Sequence, residues 1–163
     1  MNTGSMRTAS SADAIQPGRT LYAVLPWRRT RRGEIKVLLV TPRDDERWGL
    51  PCALPGDAGT ARKIAMSEAF EKAGVIGLLD PNPVGSCTGT ASQADGSAKP
   101  CTVLVYALRV RGTLTHWPGH GRFRRRWHYL SAAAEAVADE GLKRLLASLD
   151  MESSVFGQDR KAA

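Results

Sequence analysis

The chain has 163 residues, 42% of them apolar and 24% charged, with a net charge of +7 and a pI near 9.8. That length fits one domain with a core large enough to need no staples, and the balance excludes a chain disordered throughout. The basic excess favours anionic partners: phosphorylated small molecules, nucleic acid or acidic membrane surfaces.

Residues 1–18 are rich in Ser, Ala and Thr and lack the apolar core of a secretory signal, so a disordered N-terminal tail is expected. One domain is expected over 19–150 and a flexible tail over 151–163. Thr20 to Trp27 reads as a strand, with Pro26 at its end or at a sheet edge. A basic loop, 28–33, turns at Gly33. Glu34 to Thr41 is a near-continuous apolar run, the pattern of a strand buried on both faces. Trp48 to Pro51 is a short extended piece and 52–59 a Pro/Gly loop. Thr60 is a candidate cap for a helix from about Ala61 to Ala73 that stops at Gly74. Ala65, Met66, Ala69, Phe70 and Ala73 form its apolar stripe, and Ser67, Glu68, Glu71 and Lys72 its polar face. Val75 to Leu79 and Val84 to Ser86 look extended, 88–100 is a polar loop or hairpin tip, and Thr102 to Arg111 is a strong strand. His116 to Arg126 reads as a loop. Ser131 caps a short helix, and a second, Gly141 to Leu149, turns Leu142, Leu145, Leu146 and Leu149 inward. Strands, one helix, strands and then helices imply a mixed sheet sandwiched by helices.

Positive charge concentrates in Arg28-Arg29-Thr30-Arg31-Arg32 and in Arg122-Phe123-Arg124-Arg125-Arg126. Each run reads either as a solvated loop or as a phosphate-facing patch. Trp48 and Trp127 read as core residues. Cys52, Cys87 and Cys101 form no CxxC pair, which argues against a disulfide framework or a zinc site and fits a reducing compartment. A cytoplasmic location is expected. No apolar run approaches a membrane span, so no membrane partner is expected. His116, His120 and His128 lack metal-ligand spacing.

The segment WGLPCALPGDAGTARKIAMSEAFEKAGVIG, Trp48 to Gly77, resembles the signature region of the Nudix hydrolases, G-x5-E-x7-R-E-U-x-E-E-x-G-U with U aliphatic. Glu68, Glu71, Gly74 and Val75 match, and the W-x-x-P that precedes the box falls on Trp48 and Pro51. The text from Val24 to Pro51, and Arg125-Arg126-Trp127 followed by helices, is similar to bacterial members of the diphosphoinositol-polyphosphate phosphohydrolase-like type. The box is degenerate: Ala53, Gly59, Ser67 and Lys72 replace the first Gly, the first Glu, the Arg and the last Glu. The resemblance covers about 20–149 and implies a Nudix-like α/β/α sandwich with a mixed sheet.

It also implies hydrolysis of phosphoanhydride bonds in nucleoside-diphosphate-X or polyphosphate substrates, weak or altered here, with Mg²⁺ or Mn²⁺ bound weakly or not at all. Such metals take one or two carboxylates plus phosphate and water. Glu68 and Glu71, at i and i+3, are the expected metal-holding and catalytic pair. Lys72, at the i+4 position, is expected to pair with Glu68 and compete with metal. Lys72, Arg28, Arg29, Arg31 and Arg32 are the expected contacts to substrate phosphate. The alternative is a non-catalytic protein in which Lys72 replaces the metal charge and contacts a phosphorylated ligand directly. Nucleic acid is the less expected partner, since no RRM, KH or helix-turn-helix pattern appears.

Overall fold

The computed structural model describes residues 20–53, 61–92 and 98–150, together with Ser153 and Phe156. The expected N-terminal tail, Thr60 and Gly59 lie outside these residues. In chain order the elements are β1 (Thr20–Arg29), β2 (Ile35–Pro42), β3 (Cys52–Ala53), α1 (Ala61–Glu68) running into a π-helical turn (Ala69–Ala73), β4 (Val75–Leu79), β5 (Gly85–Ser92), β6 (Ala98–Thr113), β7 (Phe123–Tyr129), α2 (Leu130–Ala136) and α3 (Glu140–Ala147). The sheet runs β4-β6-β1-β2-β7, with β3 on β1 and β5 on β6. The β1–β6 pair is parallel and the others antiparallel, so the sheet is mixed as expected.

β2 is buried on both faces because its alternate residues feed two cores. Ile35, Val37 and Leu39 join Ala23, Leu25, Trp27, Val103 and Val105 under α2 and α3. Leu38 and Val40 join Val24, Tyr106 and Leu108 under α1. Full burial of one such aliphatic side chain stabilises by about 1.5–3 kcal/mol, so these two layers fix the sandwich.

Pro26 sits inside the central strand β1, not at an edge. Val24 N–H donates to the Pro51 carbonyl, and the Pro26 nitrogen, two residues on, faces the same side. There it falls between the β3 pairing at Tyr22–Ala23 and the β2 pairing that begins at Trp27, where no ladder bond is required. Residues 123–126, read as loop, begin β7. Arg124, Arg125 and Arg126 stand in succession between Phe123 and Trp127, and pairing with all of Lys36 to Pro42 outweighs the charge density. The α1 stripe is narrower than expected. Ala65, Ala69 and Ala73 are buried, while Met66 and Phe70 are 37% and 38% exposed, because only the smallest side chains lie directly on the sheet. The second C-terminal helix starts at Glu140 and the first at Leu130. Among the described residues, no helix is long and apolar enough to cross a membrane.

Candidate functional site

The alanines at 65, 69 and 73 let α1 and its π turn lie close on Val24, Leu38, Val40 and Tyr106. Ser67 and Glu71 then face solvent, and Glu68 and Lys72 face the edge where β3 joins β1. Lys72 Nζ lies 3.0 Å from Glu68 Oε1, the pair expected at i, i+4. It also donates a 2.9 Å hydrogen bond to the Cys52 carbonyl and stands 5.6 Å from the centre of the Phe123 ring. The two side chains are 18% exposed for Glu68 and 30% for Lys72. Glu68 Oε1 is buried, and its contact with the ammonium is an ion pair rather than an aligned hydrogen bond.

The end of this helix is held by the segment 114–125, much of which has the composition of a loop. Gly74 takes the left-handed conformation at φ 65° and its N–H returns to the Phe70 carbonyl. The remaining carbonyls are taken in order: Glu71 by the Gly119 N–H, Lys72 by Trp117 Nε1, and Ala73 by the Arg125 guanidinium at 2.9 Å. Arg125 also donates to Leu114 and lies 3.9 Å over the Trp117 ring, and burial lowers its pKa. A Cβ on Gly119 would collide with the Glu71 carbonyl oxygen, so only glycine allows this approach. No motif in the sequence signals this cap.

Beside Cys52 opens a pocket of ≈ 980 Å³, lined by Leu21, Trp48, Leu50, Cys87 and Val103 on its apolar wall and by Asp45, Arg47 and Asp139 on its polar rim. Asp45 accepts a two-pronged contact from Arg47, which holds its carboxyl at about 2. Burial raises the Asp139 carboxyl. Strand register puts Cys52, Cys87 and Cys101 on one face of the sheet. Burial pushes the Cys87 thiol up to about 12 and Cys101 to about 11, and raises Cys52, so Cys52 and Cys87 are apolar wall and Cys101 core, rather than nucleophiles. Sequence spacing hid this grouping because the three come from different strands.

The arginines of the first basic run are not brought to Lys72. Ala23 pairs with Cys52, and Arg29 lies six residues further along β1, about 20 Å away at strand rise. Arg31 and Arg32 are exposed at the hairpin tip, and Arg28 lies 4.1 Å over the Trp127 ring. Arg29 is structural, donating to the Gly33 and Phe156 carbonyls. Trp48 and Trp127 are partly buried against the two cores, and His116 and His120 are exposed.

A divalent cation is implied by the resemblance, but the donor set does not fit it. One of the two carboxylates already holds an ammonium, and the next position on that face is the ammonium itself. Among the described residues no three His, Cys, Asp or Glu side chains group as a metal site would require.

No family model matches the chain. A curated relative, the mitochondrial Nudix hydrolase 12 of Arabidopsis thaliana, is 28% identical over 116 residues, 69% of this chain and 57% of its own length. The chain thus spans little more than half of that relative. Among solved structures it is similar to the Ap4A hydrolase of C. elegans in a binary complex (17% identity, 88% of this chain and 98% of the other, TM-score 0.56). It is also similar to the dihydroneopterin triphosphate pyrophosphohydrolase of E. coli (15%, 83% and 97%, TM-score 0.63). A third likeness is to the NUDIX domain of Shewanella oneidensis NrtR complexed with ADP ribose (14%, 85% and 93%, TM-score 0.54). At these identities the likeness is one of fold: the chain has the Nudix α/β/α sandwich.

Proposed function

We propose, from the Nudix fold as premise, that this chain takes a nucleoside-diphosphate-X or polyphosphate small molecule and hydrolyses its phosphoanhydride only weakly. The observation that carries this is the Lys72 ammonium, 3.0 Å from Glu68 and bonded to the Cys52 carbonyl, at the position where the Nudix signature that the sequence resembles has its last Glu. The pocket beside Cys52 is large enough for a nucleoside-sized group, within the usual range of small-molecule sites. The neighbours named for Ap4A, a triphosphate and ADP ribose support the ligand class.

A second reading is metal-independent binding without turnover. It is favoured by the state of Lys72: one of the three N–H donors of its ammonium is bonded to the Cys52 carbonyl, Glu68 is held as an ion pair, and the side chain, 30% exposed, can present a further donor to a phosphate oxygen.

A mass-spectrometric product screen over dinucleoside polyphosphates, nucleotide sugars, ADP-ribose and diphosphoinositol phosphates, with Mg²⁺ or Mn²⁺, tests the first reading. Turnover is expected below about 1 s⁻¹, the low edge of ordinary enzymes, and lost in Glu68→Gln. Turnover at ordinary enzyme rates, or turnover indifferent to Glu68→Gln, rejects it. Thermal-shift binding that survives EDTA and weakens in Lys72→Glu, with no product formed, establishes the second reading instead.

A further inference from the structure

The basic hairpin between β1 and β2 stands about 20 Å from the Lys72 site along β1. It is a built surface. Gly33, at φ +87°, closes the turn, with Thr30 N–H donating to the Glu34 carbonyl and Gly33 N–H to the Thr30 carbonyl. Arg29 ties the hairpin to the body of the protein through the Phe156 carbonyl. Arg28, Lys36 and Tyr129 lie in register across three adjacent strands, on the sheet face that α1 covers further along. Trp127 occupies the next position of β7 on that face.

Each of the two cations lies over a ring. Arg28 lies 4.1 Å from the Trp127 ring centre and Lys36 Nζ 4.7 Å from that of Tyr129. Tyr129 is 46% exposed, and Arg28, Arg31 and Arg32 are exposed. From Arg28 to Lys36 the only acid is Glu34.

We infer that this sheet face and hairpin form a binding surface for single-stranded nucleic acid, with Arg28, Arg31, Arg32 and Lys36 on phosphates and Tyr129 against a base. Cations that track a backbone beside rings that accept any base are the physical requirement for sequence-tolerant single-strand binding. Charge alone would serve an acidic membrane equally well. The exposed ring of Tyr129 favours nucleic acid, because bases stack and headgroups do not.

Fluorescence anisotropy of a fluorescein-labelled oligothymidylate, titrated with the full chain, tests this. Three or four phosphate contacts predict a log–log salt slope of about −2 to −3 for a single strand. Arg31→Glu with Arg32→Glu is expected to weaken binding at least about tenfold. Tyr129→Ala is expected to weaken it at least about fivefold, while Tyr129→Phe keeps the ring and the affinity. Thermal midpoints of each variant separate lost binding from lost folding. The inference is overturned by no binding at low salt, by binding that survives the Arg31/Arg32 reversal, or by Tyr129→Ala having no effect. It is also overturned if phosphatidylserine vesicles bind more tightly than the oligonucleotide.

Discussion

Lys72 joins Glu68, the Cys52 carbonyl and the Phe123 ring, and so ties α1 to β3 as well as occupying the acid's partner position. Removing its charge leaves Glu68, only 18% exposed, without compensation. Lys72→Met is expected to lower stability by about 1–3 kcal/mol, read from the urea midpoint. An unchanged midpoint would show the pair to be solvated and idle. Cys87 makes a different prediction. Its folded-state pKa is raised from 9.0 to about 12, so the folded state favours the neutral thiol. That stability is fully present below pH 9 and is lost as pH rises towards 12. By pH 10 the loss is about 1 kcal/mol from this group. The thermal midpoint is expected to fall across that window, and less steeply in Cys87→Ala. The Glu68–Lys72 pair was legible in the sequence because helical spacing alone places i and i+4 on one face. The thiol grouping was not, because it depends on the register of three strands.

At the scale of elements, the helix that carries Glu68 and Lys72 has its closing carbonyls bonded to the 114–125 segment and Arg125. Gly119→Ala pushes a methyl towards the Glu71 carbonyl, and a loss of about 2 kcal/mol is expected in urea unfolding. Hydrogen exchange should show the amides of the π turn opening first. Exchange unchanged there would mean that the cap does not hold the turn. β2 was readable because its apolar run needs no context. β7 was not, because Arg124, Arg125 and Arg126 carry no strand propensity, and only pairing with β2 makes them one. Arg28, Arg29, Arg31 and Arg32 looked like phosphate ligands by charge. A strand's length of separation from Cys52, invisible in sequence, removes them from that site.

In the whole molecule, two cores on opposite faces of one sheet hold the pocket and the helix in fixed relation. The face under α2 and α3 is completed by Phe156, fully buried and packed edge-on at 4.9 Å from Trp27. Phe156→Ala is expected to cost about 3–5 kcal/mol and to red-shift Trp27 emission. A midpoint within experimental scatter of the parent would place Phe156 outside the core. The sandwich itself followed from element order, whereas the chemistry turns on one ammonium. Calorimetric titration of Mn²⁺ into the parent protein and into Lys72→Glu addresses that ammonium most directly. At most weak binding that does not saturate is predicted for the parent, and a new saturable event, abolished by adding Glu68→Gln, for the variant. Tight Mn²⁺ binding by the parent that disappears in Glu68→Gln would contradict the account.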